Sequence, residues 1–137
     1  QVTGKGLQKL SSIFVDYAKE NIEGVTDETL QKYKEAPFRA PMIIILISEI
    51  KIHPKVPEIE QMLSTAAAAE NILLALNALN YSGMWRTGVF ALNEKITKYL
   101  ELENNQKVIG YLYVGTATGK QKKIPEMDTS KFVTEWI

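Results

Sequence analysis

The chain has 137 residues, 45% hydrophobic and 23% charged, which is enough for one packed core and points to neither a disordered nor a membrane-embedded chain. Sixteen basic residues balance sixteen acidic ones, so no net field draws in nucleic acid or an anionic membrane, and only a local patch could. There is no Cys, and His53 is the one His, which excludes disulfides, thiolate catalysis and Cys-based or His-rich metal sites.

No run of about 18 residues is free of polar groups, and no signal peptide is visible. The chain opens on Gln1-Val2-Thr3 without an initiator Met. Either it was processed or a segment precedes it.

Val2-Thr3 reads as the end of a strand entering a turn. Gly4-Lys5-Gly6 superficially suggests a phosphate loop, but the P-loop spacing is absent and a simple turn is the better reading. Leu7, Leu10, Ile13, Phe14, Tyr17 and Ala18 recur at helical spacing, which predicts an amphipathic helix to about Asn21. Gly24 ends that region. Thr26 or Asp27 then caps a second, more polar helix through about Glu35, its charges forming a solvated face.

Ala36–Pro41, APFRAP, reads as a rigid connector in which Pro37 and Pro41 hold their neighbours extended. Arg39 within it is either an anion ligand or a partner in a salt bridge or carbonyl contact. Met42–Ile47, MIIILI, is apolar throughout and rich in Ile, the composition of a central strand buried on both faces. The segment 48–57 is polar, with two prolines, and reads as a loop that leaves His53 exposed.

From Glu58 the pattern turns helical for some 20 residues. Ile59, Met62, Leu63 and Ala66 start one stripe, and beyond Ala66 the helix is apolar nearly all round. Such a helix is buried in a core or between subunits. Glu70 and Asn77 share a face with Asn71 nearby; they serve a ligand or an interface, or bond to neighbouring loops. Asn80 suits a left-handed helix end.

Tyr81-Ser82-Gly83 and Thr87-Gly88 read as a flexible, Gly-bearing loop around Met84-Trp85-Arg86. Asn93 is a good N-cap with Glu94 in the first turn, so a short helix should run to about Leu100. Val108–Val114, VIGYLYV, is a second strong strand, and Gly110 inside it suggests close approach by another backbone or a ligand. Lys120, Lys122 and Lys123 follow in a basic segment that could hold a phosphate but reads better as a solvated loop. Phe132, Val133 and Trp136 are too apolar for a free tail and should pack on the body or on a second subunit.

Side-chain catalysis is poorly supplied, and no catalytic residue is assigned. A borrowed cofactor would remove that difficulty. Trp85-Arg86-Thr87-Gly88 would suit one: a flat apolar wall, a fixed charge with several donors, and further hydrogen bonds at short reach. The alternative is a Trp that anchors a loop and an Arg in a surface ion pair.

Three segments in this order resemble the flavin-dependent nitroreductase family, most of all its small bacterial branch of YdjA-type NAD(P)H nitroreductases. They are APFRAPMIIILI (36–47), KVPEIEQ with the apolar helix and GMWRTG (55–88), and VIGYLYVGT (108–116) with FVTEW (132–136). The resemblance implies a three-layer α+β fold, with a central sheet, flanking helices and a long buried helix. It also implies a cytoplasmic homodimer with FMN at the subunit interface. NAD(P)H would be the electron donor, and a small nitro compound or quinone the acceptor. By the same resemblance Trp85, Arg86 and Thr87 line the flavin, and Ala75, Leu76, Asn77, Ala78, Leu79 and Asn80 contact the nicotinamide nucleotide.

The family's Arg- and Ser-rich opening segment, which grips the FMN phosphate, has no counterpart in these residues. The expectation is therefore a single nitroreductase-like domain over residues 1–137 that lacks its N-terminal part. A dimeric binding module without flavin turnover is the alternative function.

Overall fold

The computed structural model describes residues 1–119 and 123–136. Eight elements of regular structure follow in order: β1 (Val2–Thr3), α1 (Lys5–Asn21), α2 (Asp27–Glu35), β2 (Met42–Glu49), α3 (Glu58–Ala78), β3 (Ser82–Arg86), α4 (Glu94–Tyr99) and β4 (Gln106–Gly115). Short 3-10 turns occupy Ala36–Arg39, Gly88–Phe90 and Thr129–Lys131.

The strands form one antiparallel sheet in the order β1-β2-β4-β3. β2 and β4 are its inner pair, in register from Met42↔Val114 to Glu49↔Gln106, with one irregularity at Leu46/Ile47. Because side chains alternate along a strand, the pair feeds two separate cores. Ile43, Val108, Tyr111 and Tyr113 join Leu7, Leu10, Phe14 and Tyr17 of α1 and Ile96 of α4 on one face. Leu46, Ile109, Leu112 and Val114 join Ala69 and its neighbours of α3 on the other. The result is helices, sheet, helix: the three-layer α+β arrangement.

The helix ends follow local chemistry. The Thr26 hydroxyl accepts from the Thr29 amide at 3.2 Å and starts α2. Asn93 accepts from the Ile96 amide at 3.1 Å and starts α4. α3 stops in a Schellman motif: Asn80 takes φ 61°, its amide bonds Asn77 O, and the Tyr81 amide reaches back to Leu76 O at 2.8 Å.

Four expectations need correction. First, β3 is a strand where a flexible loop was expected. Its five residues pair with Arg86↔Tyr111 at one end and Ser82↔Gly115 at the other. Gly83 marks contact rather than a turn: a Cβ there would lie 2.5 Å from Leu73 of α3. Second, of the two burials expected for α3, in a core or between subunits, the first holds for one face only. The stripe Met62, Ala66, Ala69, Ile72, Leu73 and Leu76 packs on the sheet, whereas Ile59, Leu63 and Leu74 on other faces stand more than half exposed. A helix apolar all round can satisfy only one face against a single sheet.

Third, Ala36 is helical (φ −54°, ψ −44°) although it precedes a proline, because α2 runs straight into the 3-10 turn that buries Pro37. Ala40, before Pro41, is extended as expected. Fourth, of the two packings expected for Phe132, Val133 and Trp136, on the body or on a second subunit, the first is not found; Trp136 is 96% exposed on the single chain.

His53 is exposed, its Nδ1 accepting from the Lys55 amide at 3.2 Å. Lys120 and Lys122 lie outside the described residues, and Lys123 is exposed. Among the described residues no helix is long and apolar enough to cross a membrane.

Candidate functional site

A cleft of about 560 Å³ opens on the α1–α2 face, between α2 and its 3-10 turn on one side and the end of β3 on the other. Its floor is aromatic. Phe14 and Phe90 stack with centroids 3.9 Å apart and planes within 4°. Tyr111 meets Phe14 edge-on at 5.4 Å, and Tyr33 meets Phe90 edge-on at 4.9 Å. The Tyr111 hydroxyl donates to Phe90 O at 2.6 Å, which ties the loop after β3 to the middle strand.

Glycine makes that loop possible. Gly88 takes φ 61°, a left-handed conformation that L side chains rarely adopt, and so turns the chain from the exposed edge strand down to Phe90 in the core. Asn93 then holds the far side, donating to Val89 O at 2.9 Å and Ala91 O at 3.3 Å.

Arg86, Thr87 and Gly88 border the cleft from β3 and its exit; Lys32 and Arg39 border it from the opposite side. Arg39 and Arg86 make no ion pair among the described residues, so neither takes the salt-bridge role that was one reading of each. Tyr113 lies between these elements and is 8% exposed. Burial pushes its hydroxyl above the ordinary tyrosine range, and the charges of Arg39 and Arg86 pull it part of the way back.

Trp85 behaves differently from its neighbours. In a strand it must face away from Met84 and Arg86. Its indole packs with the α3-side cluster, over Gly110, where a Cβ would lie 2.0 Å from Trp85 Nε1. That nitrogen is buried and has no hydrogen-bond partner among the described residues. Trp85 thus borders the first cleft together with Arg86 and Thr87 while its indole packs on the α3 side of the sheet, and the close approach that Gly110 signalled is by this indole and by Arg86 O.

The residues assigned to nicotinamide lie on the α3 side as well. Asn77 and Asn80 line a second cleft of about 490 Å³ with Leu73, Ser82 and Thr116. Leu76 packs toward the sheet, and Ala75, Ala78 and Leu79 are exposed. A third cleft of about 400 Å³ runs round the open edge of β3 and joins the two. It shares Arg39, Met84, Arg86 and Tyr113 with the first and Ser82, Gly83, Thr116 and Ala117 with the second. The structure therefore gathers Trp85, Arg86 and Thr87 with Arg39 round one cleft, and places Asn77 and Asn80 round the strand edge from them.

Phe14, Tyr33, Phe90 and Tyr111 were not legible as site residues. Each reads locally as core, and only sheet register and helix docking bring them together.

Tyr111 yields a pH prediction. Burial raises its hydroxyl far above the unfolded value of 10.0. The raised pKa means that the folded state keeps its proton after the unfolded chain has lost it. Stability should be intact below pH 10 and fall above it, by up to about 1.4 kcal/mol per pH unit from this one group. Urea melts of wild type and Tyr111→Phe between neutral pH and pH 11 check this: the variant should lose part of the alkaline slope.

Comparison with known proteins places the chain. The model of the nitroreductase family matches residues 3–116. The chain is 30% identical over 134 residues to the Escherichia coli protein named "Putative NAD(P)H nitroreductase YdjA", covering 97% of this chain and 72% of that one. In fold it is similar to a nitroreductase-like family protein from Bacillus cereus, with TM-score 0.74 at 17% identity over 97% of this chain and 69% of that one. It is also similar to a nitroreductase with bound FMN from Bacteroides fragilis, with TM-score 0.60 at 21% identity over 92% of this chain and 70% of that one.

Proposed function

Since the chain belongs to the nitroreductase family, we propose that it is an FMN-dependent NAD(P)H oxidoreductase that reduces a nitro compound or quinone. One observation carries this reading: a cleft of about 560 Å³, within the range of small-molecule and cofactor sites, with an aromatic floor and a basic rim at Arg86-Thr87-Gly88.

The residues present fit the ring end of the flavin. Arg86 would supply a fixed positive charge, which favours a group that gains negative charge on reduction. Thr87 would add a hydroxyl, the Gly88 backbone allows close approach, and the Trp85 side chain would hold the strand from behind. FMN, when bound, supplies the coupling of nicotinamide oxidation to acceptor reduction. The protein positions both partners and excludes water over the Phe14–Phe90 floor.

Ala75–Asn80 would contact the nicotinamide nucleotide from round the edge of β3. The uncovered faces of α3 and the apolar tail residues Phe132, Val133 and Trp136 fit burial in a cytoplasmic homodimer, with residues 1–137 as one nitroreductase-like domain.

Titration of the purified chain with FMN, followed by flavin absorbance and fluorescence, tests the reading. Arg86→Ala should weaken FMN binding about tenfold, the value of one charge-assisted hydrogen bond. Arg86 is exposed and unpaired among the described residues, so the melting temperature should stay put. A wild-type chain that takes up no FMN and does not oxidise NAD(P)H with a nitroaromatic or quinone would sink the proposal and leave the dimeric binding module.

A further inference from the structure

The whole chain is electrically balanced, yet the cleft is not. Lys32, Arg39 and Arg86 line it, and no Asp or Glu is among its described lining residues or among those of the rim cleft beside it. The two arginines come from separate elements. Arg39 ends the 3-10 turn after α2; Arg86 ends β3. Both border the same two clefts, on either side of Tyr113.

Neither guanidinium is neutralised by a carboxylate among the described residues. Tyr113 lines both clefts as well, and burial keeps its hydroxyl proton at neutral pH, so it stands as a donor beside the two guanidiniums. Three donors lining the same two clefts, two of them permanently charged, beside an apolar aromatic floor form a site for a flat molecule with an anionic edge.

We infer that Arg39 and Arg86, with the Tyr113 hydroxyl, form an anion clamp that selects an acceptor bearing a carboxylate. Arg39 becomes a specificity-determining residue, distinct from the cofactor contact given to Arg86. The inference rests on the proposed function, and adds to it that the acceptor enters this cleft. The clamp itself is independent of flavin. Because both arginines are exposed, their pull is screened by salt.

The probes are para-nitrobenzoate and its neutral isostere para-nitrobenzamide, with binding measured by calorimetry on the full chain at low salt, with and without FMN. The expected result is that the carboxylate binds about tenfold tighter than the amide, as a charge-assisted contact would give. That preference should shrink to within about twofold in Arg39→Gln and in high salt. Arg39→Gln should leave the melting temperature unchanged, since the residue is exposed.

Equal binding of the two probes by wild type, or an undiminished preference in Arg39→Gln, would overturn the inference. FMN and riboflavin form a second arm. If Arg39→Gln weakens FMN but not riboflavin, and leaves the nitrobenzoate preference intact, the arginine grips the flavin phosphate instead and the inference fails. A chain that binds FMN yet cannot tell the probes apart defeats this inference alone. A chain that binds no FMN and does not oxidise NAD(P)H defeats the proposed function, while the preference is still read from flavin-free protein.

Discussion

Phe14→Ala should lower the folding free energy by about 3–5 kcal/mol, the range for truncating a fully buried phenylalanine. Phe14 is 1% exposed and is the residue on which the cleft floor rests. It stacks on Phe90 at 3.9 Å, meets Tyr111 edge-on at 5.4 Å, and sits in the cluster that joins α1 to the sheet. Alanine removes the ring from both contacts and leaves a void that α1 cannot fill without leaving Leu7, Leu10 and Tyr17 behind.

For a chain of this length the loss corresponds to a melting point lower by about 10–20 °C. Phe90 would lose its stacking partner, so the loop after β3 should loosen as well, and FMN affinity should fall further than in Arg86→Ala. Urea unfolding of wild type, Phe14→Ala and the milder Phe14→Leu checks the number. A loss under about 1 kcal/mol for the alanine variant would mean that the stacked pair is not what holds the floor.

The parts of this structure that were legible in the sequence are those decided by near neighbours. Thr26 and Asn93 cap helices because their oxygens reach amides three residues on. Asn80 ends α3 because it tolerates positive φ. MIIILI and VIGYLYV could hardly be anything but inner strands. The α+β class followed from these segments, and the three layers from the family resemblance alone.

What was not legible depends on partners distant in the chain. Ser82–Arg86 carries loop-like residues, and only the open edge of β4 makes it a strand. Once it is a strand, period-two alternation sends Trp85 and Arg86 to opposite faces, which no local pattern around a supposed loop could show. α3 is apolar all round, so its composition could not say which stripe meets the sheet. The aromatic floor draws on α1, α2, β4 and the turn before α4, four places without a shared motif. Arg39 was read as an anion ligand or as a partner in a salt bridge or carbonyl contact, and only the fold shows that it makes no ion pair among the described residues.

Gly110→Ala should be the most damaging small change on the β3 side, at about 2–3 kcal/mol from overpacking. A methyl group there would lie 2.0 Å from Trp85 Nε1, 2.8 Å from Trp85 Cδ1 and 3.1 Å from Arg86 O. No atom can stay at the first distance. The indole is held by the α3-side cluster, and Gly83 already lets Leu73 press on β3 from behind. The element with the fewest bonds to lose is β3 itself, an edge strand of five residues.

The strain should therefore be relieved by moving β3 outward, and with it Arg86 and Thr87. FMN binding should suffer although Gly110 does not line the cleft. A double-mutant cycle isolates the cause. Trp85→Ala alone should destabilise by about 3 kcal/mol through lost packing. In the Gly110→Ala, Trp85→Ala double variant the new methyl no longer meets the indole and keeps only the 3.1 Å approach to Arg86 O, so the two losses should fall short of additive by at least about 1 kcal/mol. Additive losses in urea unfolding would show that Gly110 serves backbone freedom rather than the indole. A shortfall with FMN binding still impaired would show that the indole, although it faces away from the cleft, sets the position of the strand that borders it.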